Sequence, residues 1–148
     1  NCQPMRILYL RSREAREKLR PTLSATNLEK TMKAPLVALV AYDTRFFEHL
    51  PRMFYNPQAI NWFKDKGAHA EVTAFRNGTL QGGYFLLALR AVGLDCGAMS
   101  GFDNAKADAA FFPDGRFKSN FLVNIGYGNG TLRPRDPRFT FDEVCRII

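Results

Sequence analysis

The order of strand-like and helical patterns in these 148 residues predicts an α/β or α+β fold. Apolar runs at residues 5–10, 35–42 and 117–128 are typical of strands. Helical patterns at residues 13–23 and 69–92 separate them along the chain. With 46% hydrophobic and 24% charged residues, the chain is expected to form one domain, spanning residues 1–148, with a substantial core.

The first strand, "MRILYL" at 5–10, is followed by a helix start signal. Ser12 can accept a hydrogen bond from the first turn of a helix over 13–23. Pro21 lies inside that pattern and is expected to end or kink the helix. The segment 27–34 is short, and its pattern does not distinguish a helix from a loop.

The next strand, "PLVALVAY" at 35–42, is an almost continuous apolar run, which predicts a strand covered on both faces. Residues 44–66 follow, rich in aromatic side chains and interrupted by two prolines. This segment is expected to form short helices over a pocket or to lie in an interface.

The longest helical pattern, at 69–92, contains three glycines at positions 78, 82 and 83. Each glycine costs about 1 kcal/mol relative to alanine in a helix interior, so we expect a close approach of another backbone. Apolar residues lie on more than one side of the pattern, which predicts a buried helix and allows a position between subunits. Gly93 is expected to end it.

The second half of the chain continues the alternation. "DCGAM" at 95–99 is strand-like, and Asp103 or Asn104 can cap a short helix that precedes the strand at 117–128. The tail is punctuated by prolines and is expected to be extended, with one helical turn within 142–148.

The chain carries a net charge of +7, from 21 basic and 14 acidic residues, and therefore attracts anions. The basic residues are dispersed, and Glu14 and Glu17 interrupt the most basic stretch, which is typical of a solvated helix face. Nucleic-acid binding is therefore not predicted.

Three cysteines without a CxxC motif favour neither a disulfide framework nor a zinc site, and they fit a reducing, cytoplasmic setting. No apolar run is long enough to cross a bilayer, and no signal peptide is visible. The sequence begins with Asn directly before a strand, so it is expected to be a fragment that lacks an N-terminal region.

Several common site types are not supported by the sequence. His49 and His69 have no second ligand at metal-binding spacing. No GxSxG, no Walker A motif and no GxGxxG after a strand is present. "GYGNG" at 126–130 is interpreted as a turn. Cys96 follows a helix C-terminus, where a thiolate is not favoured, so we interpret it as structural.

Two short polar stretches leave alternatives open. "NCQP" at 1–4 is either an ordinary turn or a pair of carboxamides suited to the edge of a heterocycle. Arg133, Arg135 and Arg138 in "LRPRDPR" form either a solvated basic tail or a phosphate clamp, because guanidinium groups bind phosphate in a bidentate manner.

Together these stretches resemble a known family. "NCQPMRI", "FRNGTLQGGYFLLALRAVGLDCGAMSGFD", "NIGYG" and "RPRDPR" stand in the order and approximate spacing of the nitroreductase-like flavoprotein superfamily. Within it, "KLRPTLSATNLEKTMKAPLVALVAYD" and "KSNFLVNIGYG" make the chain similar to the malonic semialdehyde reductase branch, also called probable 3-hydroxypropanoate dehydrogenases.

The resemblance implies an α+β three-layer sandwich with a mixed, mainly antiparallel sheet flanked by helices. It also implies an intertwined homodimer with the glycine-bearing helix near the interface. The implied activity is that of an FMN-dependent oxidoreductase with NADH or NADPH as co-substrate. Small-molecule substrates are expected, and no membrane association.

The resemblance further implies roles for particular residues. Asn1 matches a carboxamide that meets the polar edge of the flavin, and Gln3 lies beside it as a further cofactor-binding residue. Met99, Ser100 and Gly101 match a stretch whose backbone faces the isoalloxazine, with the Gly101 amide directed at N5. Arg133 and Arg135 match the residues that hold the phosphate. No catalytic side chain is expected, since the flavin carries the hydride.

Three functions remain open at this point. The first is reduction of malonic semialdehyde to 3-hydroxypropanoate in pyrimidine degradation, and the second is broad NAD(P)H-dependent nitro- or quinone reduction. The third is a non-catalytic remnant, because the Arg-Ser region that precedes "NCQP" in the family is not in the sequence. The aromatics of 44–66, such as Trp62 and Phe63, either shape an acceptor slot or serve only as core or dimer contacts.

Overall fold

The computed structural model describes residues 2–130 and 134–148 of the chain. Its centre is a sheet with the strand order β1-β2-β4-β3, in which every neighbouring pair is antiparallel. The strands are β1 (Met5–Leu10), β2 (Leu36–Asp43), β3 (Asp95–Met99) and β4 (Phe117–Gly126). The helices are α1 (Arg13–Leu19), α2 (Ala25–Lys33), α3 (Leu50–Met53), α4 (Gly67–Ala91), α5 (Asn104–Phe111) and α6 (Phe141–Val144).

Strand β2 is the centre of the core, as its apolar sequence predicts. Seven of its eight residues are buried. Val37, Leu39 and Ala41 pack in a cluster with residues of α1 and α5, while Ala38 and Val40 pack with residues of α4. Helices therefore cover both faces of the sheet, and the three-layer α+β arrangement implied by the resemblance is confirmed.

Helix α4 packs on the sheet through its glycines. A Cβ added to Gly78 would lie 3.2 Å from Cβ of Tyr42, and one added to Gly82 would lie 2.5 Å from Cζ of Phe121. The predicted close approach is thus made to side chains of the sheet at these two positions. Gly83 meets nothing within 4 Å, because it lies on the other side of the helix.

Within this single chain, helix α4 is buried on one side only. Its buried residues form one stripe towards the sheet, consisting of Ala70, Ala74, Gly78, Gly82 and Leu89. The opposite side is an apolar surface, which we call the outer face of α4, with Val72, Phe75, Leu80, Tyr84 and Leu87 all about half exposed or more.

The predicted helix boundaries are largely confirmed. Ser12 Oγ accepts a hydrogen bond from the Ala15 amide at 3.1 Å, and α1 gives way to a 3-10 turn over Arg20–Thr22, where Pro21 lies. Asp103 caps α5 through a 3.0 Å bond from the Lys106 amide. Gly93 ends α4 with a φ of +83°, a conformation that glycine adopts without strain.

Two segments are more regular than the sequence shows. The ambiguous stretch around residue 30 is helical and forms α2. The aromatic segment forms short helical pieces, including α3 and 3-10 turns at Phe46–His49 and Pro57–Trp62, and it buries Phe46 and Phe63 against Ala70 of α4. The helical turn in the tail covers Phe141–Val144 rather than residues up to 148.

Among the described residues, no helix combines the length and the apolar character needed to cross a bilayer.

Candidate functional site

Met99 ends β3, and Ser100 and Gly101 lie in the turn that follows, whose backbone is tied to the region around the start of α2. The Gly101 carbonyl accepts two hydrogen bonds of 3.0 Å each, from the Ser24 amide and from Asn27 Nδ2. The Asp103 amide donates to the Thr22 carbonyl at 2.7 Å. The Gly101 amide, in contrast, has no acceptor among residues 2–130 and 134–148. The Gly101 amide is therefore an unused backbone donor of this turn.

Glycine at position 101 allows Ser24 and Asn27 to approach the backbone closely. A Cβ there would lie 2.5 Å from Asn27 Nδ2 and 2.8 Å from Ser24 Oγ. Ser24, Ser100, Gly101 and Lys106 are among the residues that line a surface depression of about 420 Å³. The turn thus combines a free amide with open space nearby, which is what a flat heterocycle with an acceptor atom needs.

Met99 and Ser100 differ in their side-chain directions. Met99 packs against the core cluster beneath α1 and α2, and its Sδ accepts a weak 3.4 Å contact from the Thr31 hydroxyl. Ser100 is exposed. Any contact of Met99 with a ligand at this turn would therefore come from its backbone, as the resemblance implies.

Gln3 lies at the opposite edge of the sheet, just before β1. Its φ of +42° is unusual for a residue with a side chain, and such conformations concentrate at functional sites. The Gln3 carbonyl accepts a 3.0 Å hydrogen bond from Arg6 Nη1, and the next carbonyl, that of Pro4, accepts from the Asp43 amide at 2.8 Å. Asn1 lies outside the described residues.

The Asp43 cluster, defined as Asp43, Arg6, Arg116 and His49, supports the Gln3 segment, and the sequence does not reveal it. The fully buried Asp43 carboxylate lies 2.9 Å from Arg6 Nη2, 3.2 Å from Arg116 Nη2 and 3.4 Å from His49 Nε2. The only signal in the sequence is an acidic residue at the end of an apolar strand.

The edges that carry Gln3 and Gly101 are separated by the width of the sheet. Strands β1 and β3 are its two edge strands, so three inter-strand spacings, about 14 Å, lie between them. One chain therefore brings Met99, Ser100 and Gly101 together but does not bring Gln3 into contact with them.

Arg135 is exposed, with no hydrogen bond or ion pair in the described parts of the chain. Arg138 donates to the carbonyls of Asp136 and Pro137, on its own segment. Arg133 lies outside the described residues. The start of the segment is held by Asp95, whose carboxylate accepts the Gly128 amide at 2.7 Å and pairs with Arg90. The pKa of the Asp95 carboxylate is lowered, mainly by the hydrogen bond from the Gly128 amide and further by the hydrogen bond from Arg90.

The aromatic segment lines two cavities. Trp62 and Phe63 form part of a small cavity of about 50 Å³ together with Cys2, the residue before Gln3. A larger cleft of about 340 Å³ lies where the segment meets α4 and β4, and Glu71 and Lys118 form an ion pair there at 2.6 Å. The prediction of short helices over a pocket agrees with this arrangement, while Phe46 and Phe63 also serve the core.

The Tyr42 hydroxyl donates to Glu71 at 3.4 Å, beside the larger cleft. Burial of the phenol is the main cause that raises the pKa of Tyr42 to about 12, and the negative charge of Glu71 is the second cause. Within the described ranges, no three His, Cys, Asp or Glu side chains are grouped as metal ligands.

Comparison with known proteins identifies the family to which the chain is similar. The profile of the Nitroreductase family matches residues 1–127. A protein of Polynucleobacter asymbioticus, whose name describes it as an NADH dehydrogenase/NAD(P)H nitroreductase, is 53% identical over 149 residues, covering 100% of this chain and 76% of its own. A similarly named protein of Ralstonia pickettii is 52% identical over 151 residues, covering 99% and 77%.

Solved structures share the fold. The structure of a nitroreductase-type protein of Exiguobacterium sibiricum in complex with FMN superimposes with a TM-score of 0.87 at 19% identity, covering 99% of this chain and 78% of that one. A Bacillus subtilis structure of the same type gives a TM-score of 0.86 at 21% identity, covering 99% and 79%. The sequence match along most of its length and the shared fold show that this chain belongs to the nitroreductase family.

Proposed function

We propose that this protein is an FMN-dependent oxidoreductase that takes its electrons from NADH or NADPH. The observation that carries the proposal is the Gly101 turn, whose amide has no acceptor among the described residues and which lines an open depression. Family membership and the names of the relatives, which specify NAD(P)H, support the cofactor and the electron donor.

The residues of the chain bind and orient the cofactor, while the bound flavin supplies the hydride chemistry. The Gly101 amide would donate to N5, and the backbone of Met99 and Ser100 would lie along the ring. The Asn1 carboxamide, with Gln3 beside it, would meet the polar edge of the flavin, and Arg133 and Arg135 would hold the phosphate. These assignments come from the family resemblance, and the free amide at Gly101 and the exposed guanidinium of Arg135 are compatible with them.

The proposed assembly is a homodimer that pairs through the outer face of α4. That face exposes Val72, Phe75 and Leu80 around a depression of about 420 Å³, and exposed apolar patches of this kind mark interaction sites. A second copy also accounts for the separation of Gln3 from Gly101, since a site between subunits can draw on both chains.

Two substrate classes are proposed for this site. Reduction of malonic semialdehyde to 3-hydroxypropanoate, in pyrimidine degradation, follows from the resemblance to that branch. Broad reduction of nitro compounds and quinones is favoured by the relatives' names, which contain "nitroreductase". A cytoplasmic location fits the three free cysteines of the chain.

Purification and turnover test the proposal. The purified protein is expected to be yellow, or to become yellow after incubation with FMN, and to oxidise NADH or NADPH when an acceptor is added. Parallel assays with malonic semialdehyde, a quinone and a nitroaromatic compound separate the two substrate classes. A protein that stays colourless with FMN contradicts the proposal and favours a non-catalytic role.

A further inference from the structure

We propose that Asn27 is a positioning residue that orients and polarises the Gly101 amide through a chain of hydrogen bonds. The inference rests on the proposed function in one respect, namely that the Gly101 amide faces flavin N5. The geometry that carries it lies entirely within this chain.

Asn27 is one of the few buried polar residues of the molecule, with 7% of its surface exposed. It lies in the first turn of α2, and its Nδ2 reaches the Gly101 carbonyl, 74 positions further along the chain, at 3.0 Å. The same carbonyl accepts the Ser24 amide. Two donors from one helix start therefore fix the direction of the Gly101 carbonyl.

The hydrogen bond from Asn27 continues through two peptide groups. The Gly101 carbonyl belongs to the same peptide group as the Phe102 amide, which donates to the Ser100 carbonyl at 2.9 Å. The Ser100 carbonyl in turn belongs to the same peptide group as the Gly101 amide. The chain thus runs from Asn27 to the Gly101 carbonyl, on to the Ser100 carbonyl, and ends at the Gly101 amide, which has no acceptor among the described residues.

Hydrogen bonds linked in this way strengthen one another, by about 10–30% per bond. Each donor to a peptide carbonyl withdraws electron density from the N–H of the same group. The Gly101 amide is therefore a stronger donor with Asn27 than without it. Because N5 accepts a hydrogen bond in oxidised flavin and carries a proton in reduced flavin, a stronger donor favours the oxidised form.

Replacing Asn27 should consequently shift the balance between the two redox forms. In Asn27→Leu, the Gly101 carbonyl keeps the Ser24 amide, so the turn retains one of its two anchors. We expect the ratio of the affinities for oxidised and reduced FMN to fall by up to about tenfold. This change corresponds to a two-electron midpoint potential about 30 mV more positive.

The polarisation of the Gly101 amide can also be measured by NMR in the absence of flavin. The sequence contains a single Ser–Gly pair, Ser100–Gly101, so combined labelling with carbonyl-¹³C serine and ¹⁵N glycine selects the Gly101 amide alone. The Gly101 proton resonance is expected to move upfield in Asn27→Leu. The isosteric Asn27→Asp removes the donor with little change in volume, and it should act in the same direction if the leucine variant does not fold.

Asn104→Leu is the matched control, because the Asn104 carboxamide also donates to a backbone carbonyl, that of Ser119, at 3.0 Å. It should leave both the potential and the Gly101 resonance unchanged. Wild-type values of both quantities in the two Asn27 variants overturn the inference. A shifted Gly101 resonance in a protein that binds no FMN supports the hydrogen-bond chain and overturns the flavin proposal instead.

Discussion

Gly82 of α4 lies directly against the ring of Phe121 on β4, with no room for a side chain between helix and sheet. A Cβ at position 82 would stand 2.5 Å from Phe121 Cζ and 2.7 Å from its Cε1. Glycine normally destabilises a helix interior, so its presence here reflects packing rather than local preference.

Gly82→Ala is therefore expected to destabilise the fold, although alanine is the better helix former. Overpacking of this kind lowers the free energy of unfolding by about 1–3 kcal/mol. Gly83→Ala, on the outer face of α4, meets nothing within 4 Å and should raise the free energy of unfolding by up to about 1 kcal/mol. Urea unfolding of both variants measures the difference, and a more stable Gly82→Ala would refute the packing argument.

The Asp43 cluster makes a second prediction. Asp43→Ala leaves the Arg6 and Arg116 guanidinium groups without their shared carboxylate, and breaking a buried ion pair costs about 3–5 kcal/mol. Chemical denaturation should show this loss. Glu29→Ala removes the exposed pair with Lys33 and should change stability little. Equal effects of the two substitutions would contradict a structural role for the cluster.

The raised pKa of Tyr42 predicts that the protein loses stability at alkaline pH. Its pKa is about 12 in the folded chain and 10.0 when unperturbed, so the folded state holds the phenol proton more tightly. The stabilisation is complete below pH 10 and is lost as the pH rises to about 12. Between pH 10 and 12, the free energy of unfolding should fall less in Tyr42→Phe than in the wild-type protein. The exposed Tyr55→Phe serves as control.

The phosphate assignment predicts a difference between two neighbouring arginines. Arg135→Ala should weaken the binding of FMN but not that of riboflavin, which lacks the phosphate, because a guanidinium–phosphate contact is lost. Arg138→Ala is the control, since the Arg138 guanidinium donates to its own backbone. Fluorescence titration gives both affinities. Unchanged FMN affinity in Arg135→Ala would count against the clamp.

The proposed dimer predicts that a charge on the outer face of α4 separates the subunits. Leu87 is 66% exposed in the single chain, and Leu87→Glu would place a carboxylate in the apolar interface. Analytical ultracentrifugation should show a shift towards monomer. Lys18→Glu on α1, an exposed position on the other side of the sheet, should not change the oligomeric state. If Leu87→Glu remains dimeric, the interface lies on another surface and the proposal for the outer face of α4 is wrong.

Much of the fold was predictable, because its signals are local. The run of apolar residues in β2 predicted a strand covered on both faces, and both faces are covered. Ser12, Asp103 and Gly93 act at the helix ends where their chemistry predicts. The helical structure of α2 could not be predicted from the sequence, because its apolar side is short. The helix is held by hydrogen bonds to the turn after β3, which is distant in the sequence.

The site was predictable only in part. Motifs in the sequence identify Gly101, Gln3 and Arg135, and their proposed roles follow from the family resemblance. The Asp43 cluster and the contact of Asn27 with Gly101 left no motif, because their partners are up to 74 positions apart in the chain. Arg133 and Asn1 remain predictions, since both lie outside the described residues.

The sequence by itself determined the order of strands and helices, the glycine at the end of α4 and the family, since each depends on neighbouring residues or on their spacing. Only the tertiary structure decided which glycines of α4 face the sheet and which residues surround Asp43. It also decided that the Gly101 carbonyl accepts hydrogen bonds, while its amide has no acceptor in the described part of the chain. Those features depend on long-range packing and on the direction of single hydrogen bonds, which a linear pattern does not specify.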